Sequence, residues 1–267
     1  MSEPSQLTRV VMADLARILS GPPGPQTLGH ALRHLAKWRS VLLEATLVAR
    51  SGTKVLSGPF QGMDYPVRAA EGARAARLIG SYESSLAPVI EKIVARACPL
   101  VIDIGCAEGF YAVGLALRMP QARIMARDTS EKAQALCRAL AEANHVAHRV
   151  EVGGEFTHAD FALCRDRPAV VICDIEGAED ALLDPAAAPG LLSADILVEV
   201  HEGQVPGLLA RLTGRFAATH RITRIDREIP AAALPDWAEE LGDLDRLLML
   251  WEWRAGPTPW LWMERKA

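Results

Sequence analysis

The chain has 267 residues, half of them apolar and 23% charged, a balance that excludes a disordered, collagen-like or coiled-coil chain. The net charge of −4 argues against a protein whose main task is coating nucleic acid, although residues 1–96 carry +5 and the remainder −9. Five cysteines without a C-x-x-C pair argue against a disulfide framework or a zinc ribbon.

The first residues lack the basic start and apolar stretch of a secretory signal, and no apolar run approaches the length of a membrane span, so a cytoplasmic protein is expected. Leu7, Val10, Val11, Leu15 and Ile18 recur at helical spacing, as do Leu32, Leu35, Leu42 and Leu43. Gly21-Pro22-Pro23-Gly24-Pro25 separates the two runs, because no helix crosses such a stretch. A hairpin is expected around Ser51–Pro66, helical spacing resumes from Ala69, and Leu86–Ala97 leads into the main domain. The expected division is a helical cap with a hairpin over 1–80 and an α/β domain over 81–267.

From residue 100, short β-branched runs alternate with helical stretches, the pattern of βαβ units and a parallel sheet. Expected strands are Leu100–Ile104, Ala122–Ala126, His148–Val152, Ala169–Cys173, Ile196–Val200, Thr219–Ile225 and Leu247–Trp253, with Ser130 capping the helix after the second. The fold class is therefore α/β and Rossmann-like, a seven-stranded, mostly parallel sheet with helices on both faces and a helical N-terminal cap.

The most informative segment is Val101-Ile102-Asp103-Ile104-Gly105-Cys106-Ala107-Glu108-Gly109-Phe110-Tyr111, an apolar strand that ends in an acid and opens through two glycines into a helix. Ligands bind at such strand ends, and glycine allows the backbone to turn sharply there. The glycine spacing fits a pyrophosphate poorly. Asp103 would repel phosphate but favour a cation, and adenosylmethionine presents an ammonium and a sulfonium. Asp128, at the end of the second strand, stands where a carboxylate can accept from both ribose hydroxyls. Gly153-Gly154-Glu155-Phe156 offers a flat loop for an adenine, with Phe156 as an apolar wall.

These residues resemble the class I S-adenosylmethionine-dependent methyltransferases over roughly residues 80–255. Within that superfamily Cys173-Asp174-Ile175-Glu176-Gly177-Ala178-Glu179 resembles the D-x-E-G-A-E signature of FkbM-type enzymes, which modify small molecules at oxygen in sugar and natural-product pathways. The resemblance implies an antiparallel last strand, Asp103, Gly105 and Gly109 around the methionine part, and Asp128 on the ribose. Ala107 departs from the usual middle glycine, and Arg127 from the usual apolar neighbour of the ribose acid. The cofactor candidates are Tyr82, Asp103, Gly105, Cys106, Ala107, Glu108, Gly109, Asp128, Thr129, Glu155, Phe156 and Asp174.

Methyl transfer to an alcohol requires alignment and removal of a proton. The ends of strands four and five supply Asp174-Ile175-Glu176 and Glu199-Val200-His201-Glu202. His201 is the first candidate base, since an imidazole titrates near neutral pH, and Asp174 the second, or the group that orients substrate. A divalent metal held by Asp174, Glu176, His201 and Glu202 is the weaker reading of the same residues, beside one in which Glu176 and Glu179 cap the next helix. Cys106 and Cys173 are expected to pack as small apolar residues. The tryptophans between Trp251 and Trp262 are expected in the core or at a subunit interface, with a substrate wall as the alternative, and Trp251 and Trp253 on one strand face.

The sequence thus points to an adenosylmethionine-dependent methyltransferase of a small-molecule hydroxyl, homodimerising as one option and without a membrane. RNA methylation through the basic front is the rival within enzymes, and a non-catalytic adenosylmethionine-binding module the rival outside them. Specificity is expected from the cap and from the loop around Ile229–Gly242.

Overall fold

The computed structural model describes residues 5–228, 234–254 and 256–266. Seven strands form one sheet in the order β3-β2-β1-β4-β5-β7-β6. They are β1 (Leu100–Ile104), β2 (Arg123–Arg127), β3 (Val150–Gly153), β4 (Ala169–Cys173), β5 (Ala194–Glu199), β6 (His220–Ile225) and β7 (Trp260–Arg265). The first five pair in parallel, and β7 runs antiparallel to both β5 and β6. The strand order reverses beside β1, between β2 and β4, so a crevice opens at the carboxyl ends there.

Alternation along the strands divides the core in two. Val101, Ile124, Val170, Ile172, Leu197 and Trp262 face a layer built from α4 (Ala87–Arg96), α5 (Phe110–Arg118) and α6 (Glu131–Ala143). Ile102, Met125, Val171, Ile196, Val198 and Met263 face the other layer, which includes α8 (Leu208–Phe216). Both faces of the central strands are covered, which is why these runs are continuously apolar.

The front of the chain supplies α1 (Gln6–Leu19) and α2 (Pro25–Ser51), divided at the proline-rich stretch. Val55 N–H donates to Met63 O at 2.9 Å and Tyr65 N–H to Thr53 O at 2.7 Å, so residues 53–65 fold back as a hairpin turn. A short helix, α3 (Arg74–Ile79), ends at Gly80. Leu47, Phe60, Tyr65 and Leu78 belong to the same buried cluster as Val101 and Phe110, so packing runs across residue 80 without a break.

The strand expected over Leu247–Trp253 is not there. That stretch lies mostly in a helix, α9 (Asp243–Leu250), which buries Leu248 and Met249 against the layer that includes α2. Asp243 and Asp245 sit in its first turn, where carboxylates complement the helix dipole. Leu244, Leu247 and Leu248 also fit helical spacing, which the period-two reading overlooked. The seventh strand lies after Pro257 and Pro259, and Trp262 pairs with Leu197 of β5. Trp251 and Trp253 therefore share no strand face; Arg33 and Lys37 of α2 lie over their rings at 5.3 and 5.1 Å. Of the loop expected to set specificity, residues 229–233 lie outside the described residues, as does Ala255 within the tryptophan stretch. Among the described residues no helix is long and apolar enough to cross a membrane. The described cysteines, all five of the sequence, are free and buried.

Candidate active site

The turn between β1 and α5 is shaped by close backbone contact. Gly105 and Cys106 N–H both donate to Arg127 O, at 2.8 and 3.0 Å, and Gly109 N–H donates to Cys106 O at 2.7 Å. Gly105 has φ +80°, and a Cβ there would stand 1.6 Å from the carbonyl oxygen of Asp174, so only glycine fits. Gly109, at φ +90°, would drive a Cβ to 2.6 Å from Cys137 Sγ. Ala107 occupies the left-handed region at φ +48° without glycine's freedom, a strain that a tight ligand loop retains.

Beside this turn lies a cavity of about 650 Å³, within the size range of small-molecule sites. Of the residues singled out in the sequence, Tyr82, Asp103, Gly105, Cys106, Ala107, Glu108, Asp128, Thr129, Glu155, Phe156, Asp174 and Glu176 line it. Gly109 caps α5 behind it. His201 and Glu202 do not line it.

Asp103 is 3% exposed, and its Oδ2 has no hydrogen-bond partner. Burial pushes its pKa up to about 7, against the hydrogen bond from Ala112 N–H in the first turn of α5; Asp128 and Glu108 add to the rise. Such an orphaned carboxyl fits an ammonium and repels a phosphate. Asp128 accepts from Ala107 N–H through Oδ2 at 3.0 Å and from Ser130 N–H through Oδ1 at 2.8 Å, so it is fixed at the mouth of the loop with acceptor capacity remaining on each oxygen. Arg127 turns away to Glu151, whose Oε1 is 2.6 Å from its Nη2, and leaves the mouth of the loop to Asp128. Phe156 is buried edge-on against Phe161, and Glu155 is exposed at the rim.

Glu108 has another task. It is fully buried and accepts from Tyr65 Oη at 2.6 Å and Ala70 N–H at 2.8 Å, while Arg77 Nε lies 2.8 Å from its Oε1. Arg77 in turn stacks over Tyr82, 3.9 Å from the ring centroid. The front of the chain is clamped to the glycine turn through this pair.

At the ends of β4 and β5, Asp174 faces the cavity and His201 stands behind it. His201 Nε2 is 3.6 Å from Asp174 Oδ1, 3.4 Å from Glu176 Oε2 and 3.9 Å from Glu199 Oε2. His201 Nδ1 donates to Glu179 Oε1 at 2.8 Å, and the same oxygen accepts from Ile175 N–H at 3.1 Å. Burial lowers the His201 pKa, but the hydrogen bond and charge of Glu179, with Glu199 and Glu176, outweigh it and the net shift is upward. Asp174 is pushed well above the usual carboxylate range, first by burial and then by Glu199, with which it shares a hydrogen bond. Glu202 accepts from Gly207 and Leu209 N–H at 2.6 and 2.9 Å at the start of α8, so it does not join Asp174 and His201. The set whose ligating atoms come within 4.8 Å of one another is Asp174, Glu179 and His201, able to hold a divalent ion.

Trp260 lines the cavity, as the substrate-wall alternative for the tryptophan stretch expected, and Tyr111, at the end of the quoted turn segment, joins it there. Sequence reasoning passed over Glu71, which comes from a remote segment without a local signal, and the partnership of Glu179 with His201, although Glu179 was readable as the last acid of the D-x-E-G-A-E stretch.

No protein-family model matches the chain, and no curated protein does. Solved structures do. An O-methyltransferase from Bacillus cereus, in complex with SAH, is 14% identical over 66% of this chain and 78% of its own, with a TM-score of 0.45. The O-methyltransferase TomG from Streptomyces achromogenes, in complex with SAM, is 14% identical over 65% and 77%, with a TM-score of 0.43. A precorrin-6Y C5,15-methyltransferase from Geobacter metallireducens is 10% identical over 67% and 88%, with a TM-score of 0.44. At these values the likeness adds nothing to what the strand order establishes.

Proposed function

We propose that this protein is an S-adenosylmethionine-dependent methyltransferase acting on a hydroxyl of a small molecule. The observation that carries the reading is the orphaned, buried Asp103 carboxyl beside a glycine turn too tight for any side chain, with Asp128 fixed at the next strand end. That arrangement suits an ammonium and a ribose diol and opposes a pyrophosphate.

In this reading Asp103 holds the amino group, Asp128 the ribose hydroxyls, and Phe156 and Glu155 flank the base. Bound there, adenosylmethionine would supply an electrophilic methyl on its sulfonium to the acceptor oxygen, with sulfur as the leaving group. Asp174, on the cavity wall, receives the hydroxyl proton. Burial and then Glu199 hold its pKa well above the usual carboxylate range, and a carboxylate so raised is a stronger base than an ordinary one. His201 Nε2 stands 3.6 Å from Asp174 Oδ1, about 0.4 Å beyond hydrogen-bond reach, and acts on it through its charge, while Glu179 fixes the ring so that Nε2 faces Asp174. His201 thus acts through Asp174 rather than on the substrate.

Calorimetry with adenosylmethionine and adenosylhomocysteine, with and without EDTA, tests the reading. Wild type should bind both, and Asp128→Ala should lose about 1.5–3 kcal/mol, roughly ten- to a hundredfold, for lost hydrogen bonds to a charged acceptor. A wild type that binds neither nucleotide overturns the assignment.

A further inference from the structure

The wall of the cavity is strongly one-signed. Seven carboxylate side chains line it against two guanidiniums, and both arginines are engaged in the wall itself. Arg77 pairs with Glu108 and donates to Glu71 O, and Arg127 pairs with Glu151. The proposed cofactor accounts for Asp103, Asp128 and Glu155. The remaining lining acids are Glu71, Asp174 and Glu176, with Tyr82, Tyr111 and Trp260 among the other lining residues and no free cation among the described ones.

Within this wall Glu176 accepts from Gln204 Nε2 at 2.9 Å, and His201 Nε2 stands 3.6 Å from Asp174 and 3.4 Å from Glu176, so the acidity is only partly offset. Asp174 Oδ1 is buried without a hydrogen bond, and Glu179, fully buried directly behind it, has an orphaned Oε2. Glu71 has its pKa raised by burial and then by Glu176, Asp128 and Glu108, so these acids feel one another across the opening. Glu176 is held at φ +53°, a left-handed conformation that costs a non-glycine residue strain. Tyr111 and Trp260 meet edge to face at 6.3 Å, and ring faces attract organic cations.

We infer that the methyl acceptor is a small organic cation, an amino alcohol or amino sugar whose ammonium lies between Glu71, Asp174 and Glu176 while its hydroxyl is methylated. The inference rests on the methyltransferase reading and narrows it, since a phosphorylated or carboxylated acceptor would meet only like charge here.

The test uses three pyranoses that differ in charge, glucosamine, glucose and glucuronate, titrated into the whole protein saturated with adenosylhomocysteine and followed by saturation-transfer NMR and calorimetry. Glucosamine should bind at least tenfold more tightly than glucose and lose that advantage at 500 mM NaCl; glucuronate should not bind. Glu176→Gln, at a largely exposed side chain bonded to Gln204, should remove most of the preference while adenosylhomocysteine affinity stays within about threefold. Glucosamine binding no better than glucose, or glucuronate matching it, overturns the inference, as does manganese(II) binding that displaces glucosamine. Failure of adenosylhomocysteine to bind strikes instead at the methyltransferase reading, and the inference falls with it.

Discussion

Asp103 shows how one buried carboxyl can link cofactor affinity to pH. With its pKa pushed by burial up to about 7, a proton would compete there with the ammonium of the proposed cofactor. Affinity for adenosylhomocysteine should therefore rise roughly twentyfold from pH 5.5 to 7.5, and Asp103→Asn should bind weakly with a flat profile. Calorimetry in buffers of different ionisation enthalpy reads the released proton directly. Glu179 is a positioning residue, and Glu179→Gln should lower kcat about ten- to a hundredfold with little change in KM. It should also move the acidic limb of the rate profile to lower pH, because Glu179 is the leading cause that raises His201. The same proton acts oppositely on stability. A raised folded pKa gives stabilisation that is whole below the ordinary histidine value and is lost as pH rises through the folded one. The unfolding free energy of wild type relative to His201→Asn should thus be largest near pH 6 and shrink by pH 9.

Among the elements, the glycine turn is held from both sides. Asp174 stands 1.6 Å from where a Gly105 Cβ would lie, so the β1 turn and the end of β4 share one space and neither can move without the other. The clamp from the front of the chain is the Arg77–Glu108 pair, with side chains only 5% and 1% exposed. Glu108→Gln leaves a buried guanidinium without its counter-charge and should cost about 3–5 kcal/mol in urea unfolding, with loss of cofactor affinity as Tyr65 and Tyr82 loosen. An unchanged midpoint would show that the front segment docks by apolar contact alone.

For the molecule as a whole, distant segments converge on Arg254. Its guanidinium reaches Glu83 ahead of α4, Glu199 at the end of β5 and Glu252 in its own segment, and Thr258 accepts from it at 2.6 Å. Glu83 also accepts from Tyr111 Oη, which joins this knot to the cavity wall. Arg254→Met should therefore leave three buried acids facing one another, lower stability by about 3–5 kcal/mol at pH 8, and recover part of the loss at pH 5.5 as Glu83, whose pKa burial pushes up to about 7, takes up a proton. Thermal unfolding at the two pH values measures both effects.

The local order along the chain was legible because short-range rules govern it. The proline-rich break, the apolar runs of β1 and β4, the turn from Asp103 to Gly109 and the acid at Asp128 each follow from the backbone and side-chain chemistry of a few neighbouring residues. The seventh strand was misread because Leu247–Trp253 satisfies two periods at once; burial against the α2 layer and pairing of Trp260–Arg265 with Leu197 decide between them, and both partners lie far away in sequence. His201 was legible as a titrating group at a strand end but not as one standing behind Asp174, and Glu202, expected only as a weaker metal-ligand candidate, is instead claimed by the start of α8. Sequence alone thus determined the fold class and the glycine turn on which the proposed nucleotide site is built. Tertiary structure alone decided which acids remain unpaired, because the partner of a buried charge is set by contacts between separate segments, 22 residues apart for Glu179 and His201 and 171 for Glu83 and Arg254.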